Sequence, residues 1–86
     1  MTYDQIQGHL CASERWGIKD QPDREVVAEV LATLPLVECK MLANDILYIQ
    51  VSRSLLPSEV WALARLGQVA PERIGDTQTE FTLQWD

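Results

Sequence analysis

The chain has 86 residues, 47% hydrophobic and 23% charged, with 13 acids against 7 bases for a net charge of −6. That length suits one domain around one core and leaves little room for a deep substrate cavity, while the apolar fraction argues against disorder. The cations Arg15, Lys19, Arg24, Lys40, Arg53, Arg65 and Arg73 stand singly, so no basic stripe is formed and direct binding to nucleic acid or an anionic membrane is not expected.

Thr2-Tyr3-Asp4-Gln5 matches a capping box and opens a first helix, with Tyr3, Ile6, Leu10 and Ser13 on one face. Gly17 is placed to end that helix in a left-handed conformation. Gly8 weakens its middle by about 1 kcal/mol relative to alanine, which suggests close packing against a neighbour.

A second helix follows the link Lys19-Asp20-Gln21-Pro22. Asp20 or Gln21 serves as its cap and Pro22 sits in the first turn, where a missing amide hydrogen is harmless. Asp23 and Glu25 face the positive end of the dipole. Val26, Val27, Val30, Leu31 and Leu34 form the apolar stripe, Arg24, Glu25 and Glu29 lie away from it, and Pro35 stops the helix.

From Leu36 the hydrophobic period becomes two. Val37, Cys39 and Met41 alternate with Glu38, Lys40 and Leu42; Leu47, Ile49 and Val51 alternate with Tyr48, Gln50 and Ser52. A two-residue loop would set Met41 against Tyr48 and mismatch every face. A three-residue loop, Ala43-Asn44-Asp45, pairs Met41 with Leu47 and Cys39 with Ile49, and that register is predicted.

Pro57-Ser58-Glu59 opens a third helix and Leu66-Gly67 closes it, with Leu56, Val60, Leu63 and Ala64 inward and Trp61 at the edge of the stripe. The segment from Val69 to Ile74 reads as a short strand or a helical turn, and Gly75-Asp76 as a bend. Phe81, Leu83 and Trp85 alternate with Glu80, Thr82 and Gln84 as a last strand, which offers itself as a sheet edge able to pair with another chain.

The expected fold is one α+β domain over residues 1–86, in the order α-α-β-β-α-β, with an antiparallel sheet and the helices packed on one face. Glu38, Lys40, Tyr48, Gln50, Ser52, Thr82 and Gln84 would line the other face, open to solvent.

Few residues carry a chemical signal. His9 and Cys11 diverge by roughly 200° on a helix, and with Cys39 they fall short of the four closely paired ligands of a structural zinc site. Glu25 and Glu29 are one turn apart but have no histidine or oxygen-rich cage beside them. Phosphate-loop, dinucleotide, zincin and nucleophile-elbow motifs are absent. No metal, cofactor or catalytic residue is expected.

The two cysteines make no disulfide framework, the N-terminus shows no secretory signal, and the region from Val26 to Ala43 is too interrupted to span a membrane. The cytoplasm is the default compartment.

Three tryptophans are many for so short a chain, and tryptophan is enriched at the centres of interfaces. Trp85 reads as core; Trp16 and Trp61 are candidates for a contact patch with Tyr48. The acids Asp20, Asp23, Glu25 and Glu29, with Glu38 nearby, suit a basic partner.

The reading is a small acidic non-enzymatic binding protein that docks on a larger basic protein, with a nucleic-acid-handling complex as one such partner. Its size, acidity and lack of motifs are those of the inhibitor and adaptor proteins of phages and mobile elements, a likeness of type and not of kinship. The alternatives are a self-associating structural subunit, such as a homodimer, and a small Cys/His enzyme. A helix-turn-helix DNA reader is disfavoured by the acids around the linker.

Overall fold

The capping box at Thr2 forms. In the computed structural model, which describes residues 1–13, 15–17, 20–74 and 77–85, the Gln5 amide donates to Thr2 Oγ1 at 3.3 Å and the Thr2 amide to Gln5 Oε1 at 3.0 Å. Helix α1 (Tyr3–Leu10) then buries Ile6 and Leu10. It ends at Cys11, well short of Gly17. The cause is tertiary: the buried Ser13 hydroxyl donates to the Arg15 carbonyl at 2.7 Å and meets Asn44 Oδ1 at 2.9 Å, which draws the chain off the helical path. Gly17 does take the left-handed conformation (φ 81°), but within the α1–α2 connection. Gly8 packs against nothing; a Cβ there would meet open space.

Helix α2 (Arg24–Ala32) starts later than the sequence suggested. Asp23 is its N-cap, without a side-chain bond, so Pro22 precedes the helix rather than lying in its first turn. The buried stripe is Val27, Ala28 and Leu31, with Leu34 beyond the helix end. Val26, expected inside, is 44% exposed, because it lies about 100° round the helix from Val27 and no element covers that flank.

Strand β1 (Leu36–Ala43) and strand β2 (Ile46–Val51) pair antiparallel in the predicted register, Met41 opposite Leu47 and Cys39 opposite Ile49. The means differ. Ala43 pairs with Ile46 across a two-residue turn, and a register shift between Met41 and Ala43 restores the faces. A bulge thus does what a longer loop would have done. A second shift between Leu36 and Glu38 puts Leu36 in the core and leaves Val37 exposed, reversing the expected order there.

Helix α3 (Pro57–Ala64) buries Leu63, with Leu66 just beyond its end. Leu56, Val60 and Ala64, expected inward, are exposed. A helix at the periphery, touching the rest of the molecule along one narrow line, buries a single row. The Gly67 turn leads into strand β3 (Gln68–Ile74), which settles that segment as a strand, and strand β4 (Thr77–Gln84) pairs with it antiparallel. The expected bend at Gly75-Asp76 lies outside the described residues.

The sheet order is β1-β2-β4-β3. The last strand is therefore central, hydrogen-bonded on both sides, and the edges are β1 and β3; the expectation of an exposed final edge is corrected. The fold is an α+β domain with three helices over a four-stranded antiparallel sheet. One sheet face, with Cys39, Leu47, Ile49, Val51, Phe81 and Leu83, joins the helices in the core. On the opposite face Glu38, Lys40 and Ser52 are exposed, Tyr48, Gln50 and Gln84 half-buried, and Thr82, opposite Tyr48 on the central strand, is buried.

Candidate interaction surface

Leu63 and Trp61 are two positions apart on α3, which sets them on nearly opposite sides of the helix. Burial of Leu63 fixes the outward position of Trp61, whose surface is 69% exposed. Leu56, at the head of the same helix, is 56% exposed. Beside them, Val26 and Val30 of α2 and Ala62, Arg65 and Leu66 of the α3 region line a largely apolar groove of about 290 Å³. A second, more polar hollow of about 370 Å³, lined by Asp20, Gln68, Gln84 and Trp85 among others, adjoins it through Arg65 and Leu66.

The rim on the α2 side is acidic. Asp23, Glu25 and Glu29 are all exposed. Glu29, three residues beyond Val26, lies about 60° round the helix from it and so stands beside the α2 wall, with Glu25 further out on the same side and Asp23 at the helix start. The groove's own charged lining residue is Arg65. Arg24, the lone cation of α2, is folded under: its guanidinium stands 5.4 Å from the centre of the Trp16 ring and donates to the Ser13 carbonyl at 3.3 Å.

The eight residues singled out in the sequence therefore separate into groups. Asp23, Glu25, Glu29 and Trp61 lie on the helical side, and Asp20 lines the neighbouring hollow. Glu38 and Tyr48 are on the opposite sheet face. There the Tyr48 hydroxyl donates to Glu80 at 2.6 Å and the Lys40 ammonium sits 5.5 Å from the tyrosine ring centre. Trp16 is a half-buried strut. Its indole donates to the Pro22 carbonyl at 2.8 Å and meets Trp85 edge-on, with ring centres 5.5 Å apart.

Two exposed apolar members of this side, Val26 and Leu56, escaped the sequence reading, which set both inward. A signal was present. α2 carries six apolar positions, Val26, Val27, Ala28, Val30, Leu31 and Ala32, where one buried face takes three or four, and α3 is apolar on almost every side. Excess apolar width on a peripheral helix marks a second surface.

The thiols and the imidazole do not converge. His9 and Cys11 are exposed at the end of α1, whereas Cys39 is buried on the inner sheet face. Burial, with Glu38 next in effect, pushes the Cys39 thiol up to about 11. A thiol so hard to ionise is a poor nucleophile. Among the described residues no group of three or more His, Cys, Asp or Glu side chains is placed to hold a metal ion, and no helix is long and apolar enough to cross a membrane.

Comparison with family models, curated proteins and solved structures finds no match to this chain.

At the other end of α3, Arg53 grips Glu59 through two bonds of 2.8 and 3.0 Å, and Glu59 Oε1 also accepts from the Leu56 amide at 2.8 Å. The Arg53 bond, then the Leu56 bond, hold the Glu59 carboxyl below its ordinary range. This clamp fixes the start of α3 and with it the placement of Trp61.

Proposed function

We propose that this chain is a small acidic, non-enzymatic binding protein of the inhibitor or adaptor type, which docks on a larger basic protein through the α2–α3 face. The observation that carries the reading is Trp61: a 69%-exposed indole next to an apolar groove, with the exposed acids Glu25 and Glu29 on the outer side of α2. Large aromatics in that setting, with a charged rim, are the usual anchors of protein interfaces. The scattered cations support a protein rather than a nucleic-acid partner. The unpaired thiols of Cys11 and Cys39 support a reducing compartment, the cytoplasm on this reading.

The test is affinity capture on the immobilised protein, comparing wild type with Trp61→Ala and with the double reversal Glu25→Lys, Glu29→Lys. A basic protein held by wild type, released by salt and lost with both variants is the expected result. Equal retention by all three proteins would place the contact elsewhere, and release indifferent to salt would remove the electrostatic half.

A self-associating subunit is the second reading, favoured by exposed Val37 and Leu42 on the edge strand β1. Two register shifts interrupt that edge, and the Met1 backbone nitrogen already donates to the Leu36 carbonyl at 3.0 Å. Bulges of this kind weaken edge-to-edge pairing. Sedimentation across a concentration series separates the readings, since only the second requires a dimer.

A further inference from the structure

We propose that the groove between α2 and α3 receives an amphipathic helix of the partner, apolar along one stripe and rich in lysine or arginine on the flank that meets α2. This rests on the docking reading above and specifies the occupant. Val26 and Val30 are one turn apart on α2 and form an i, i+4 row; the facing wall is Ala62 on α3 with Arg65 and Leu66 of the turn that ends it, so the groove runs between two helical ridges. The ridge of a third helix packs between two such ridges, with its own anchors at i, i+3 or i+4 and i+7. Ala62, the smallest wall residue, leaves the room for an incoming side chain. An extended strand finds no such match. The walls come from helical segments whose amides are mostly spent within the helices, so no ladder of free backbone groups is offered.

Charge decides between a partner helix and a second copy of this chain. The outer side of α2 beyond Val26 carries Glu29 and then Glu25, both exposed, and Arg24 is turned away onto Trp16. A second copy of a chain with net charge −6 brings more acids to an acidic rim, and like charges facing each other oppose association. A helix with a basic flank is drawn to it. Arg65 and Trp61 bound the other side, where the indole covers the apolar edge of the occupant.

Three synthetic peptides of about 18 residues, five helical turns, test this: a leucine stripe with lysine flanks, the same composition scrambled, and the leucine stripe with glutamate flanks. The methyl resonances of Val26, Val30 and Ala62 and the indole proton of Trp61 report binding; circular dichroism reports peptide helicity. The expected result is that the lysine-flanked stripe shifts all four signals and becomes helical, while the other two peptides bind at least roughly tenfold more weakly. Ala62→Met, which fills the groove, should lower that affinity by a similar factor with the thermal midpoint unchanged. Val26→Ser, at an exposed position, serves as the second variant if Ala62→Met unfolds. Equal binding of the scrambled lysine peptide on the same face would overturn the helical occupant and leave the basic-partner reading standing. Failure of both lysine peptides to bind there would overturn both. A dimer in sedimentation that Ala62→Met dissociates would assign the groove to a second copy.

Discussion

The Trp85 indole occupies the space that a side chain on Gly67 would need. Its Nε1 donates to the Leu66 carbonyl at 2.7 Å. A Cβ built on Gly67 would fall 2.8 Å from that nitrogen and 2.9 Å from the Gln84 carbonyl oxygen. The close approach lets α3 turn directly into β3 and seals the end of the core against β4, so residue 67 must be glycine for reasons of contact rather than of backbone angle.

Gly67→Ala is expected to destabilise the protein by about 1–3 kcal/mol, the usual range for overpacking a filled site. Gly8→Ala should do the reverse, since a Cβ there meets nothing within 4 Å and alanine favours the helix by about 1 kcal/mol. Urea unfolding of the two variants checks both signs. Equal effects at the two glycines would refute the contact argument.

The tryptophans should separate by environment. Trp61→Ala is expected to change stability by no more than about 0.5 kcal/mol, as befits an exposed side chain. Trp16→Ala, which removes the edge contact with Trp85 and the bond to Pro22, should cost about 2–3 kcal/mol. Acrylamide quenching of native fluorescence provides a second measure, because loss of Trp61 should remove most of the accessible fraction.

Cys39 sets an alkaline limit. Its thiol rises from an ordinary 9.0 to about 11 on folding, so between those values the unfolded chain binds fewer protons than the folded one. Stability from this group is complete below pH 9 and is lost as pH rises towards 11. The expected outcome is a downward slope over that window that is shallower in Cys39→Ala, measured by denaturation at matched pH. Alkylation of the native protein near neutral pH should label the exposed Cys11 and spare Cys39.

Glu59 acts at the other end of the scale. Its folded carboxyl titrates below the ordinary 4.5, first through Arg53 and then through the Leu56 amide. The contribution is therefore present above pH 4.5 and disappears as pH falls through the lower folded value. Glu59→Gln should flatten the acid limb of the stability profile, an effect reduced by added salt because both partners are near solvent. An acid limb identical in the variant would show that the clamp adds nothing to stability.

The strand pairing was legible because a slip of one residue turns a half-buried strand inside out, and only one register kept Cys39 and Met41 with Ile49 and Leu47. The capping box at Thr2 was legible because its partners are three residues apart. Helix burial was less so. Periodicity ranks the positions of a helix around its axis, but how wide a band is covered depends on the neighbours. Hence Val26, Leu56 and Val60 were assigned inward and lie outward, and Trp61 was grouped with Tyr48 and Trp16, which the fold places on the opposite sheet face and in a half-buried strut. Trp16 carries no local sign of its bond to Pro22 or of the arginine above it.

Sequence alone determined the order α-α-β-β-α-β apart from the added strand β3, the two-residue rhythm of the strands, the acidity and the absence of a basic stripe, since each rests on neighbours within a few residues or on a simple sum. Tertiary structure decided the central place of the last strand, the early end of α1 at Cys11, the glycine required beneath Trp85 and the groove between α2 and α3. Each of those depends on which distant surfaces meet, and that is fixed by packing of the whole core rather than by any local preference of the chain.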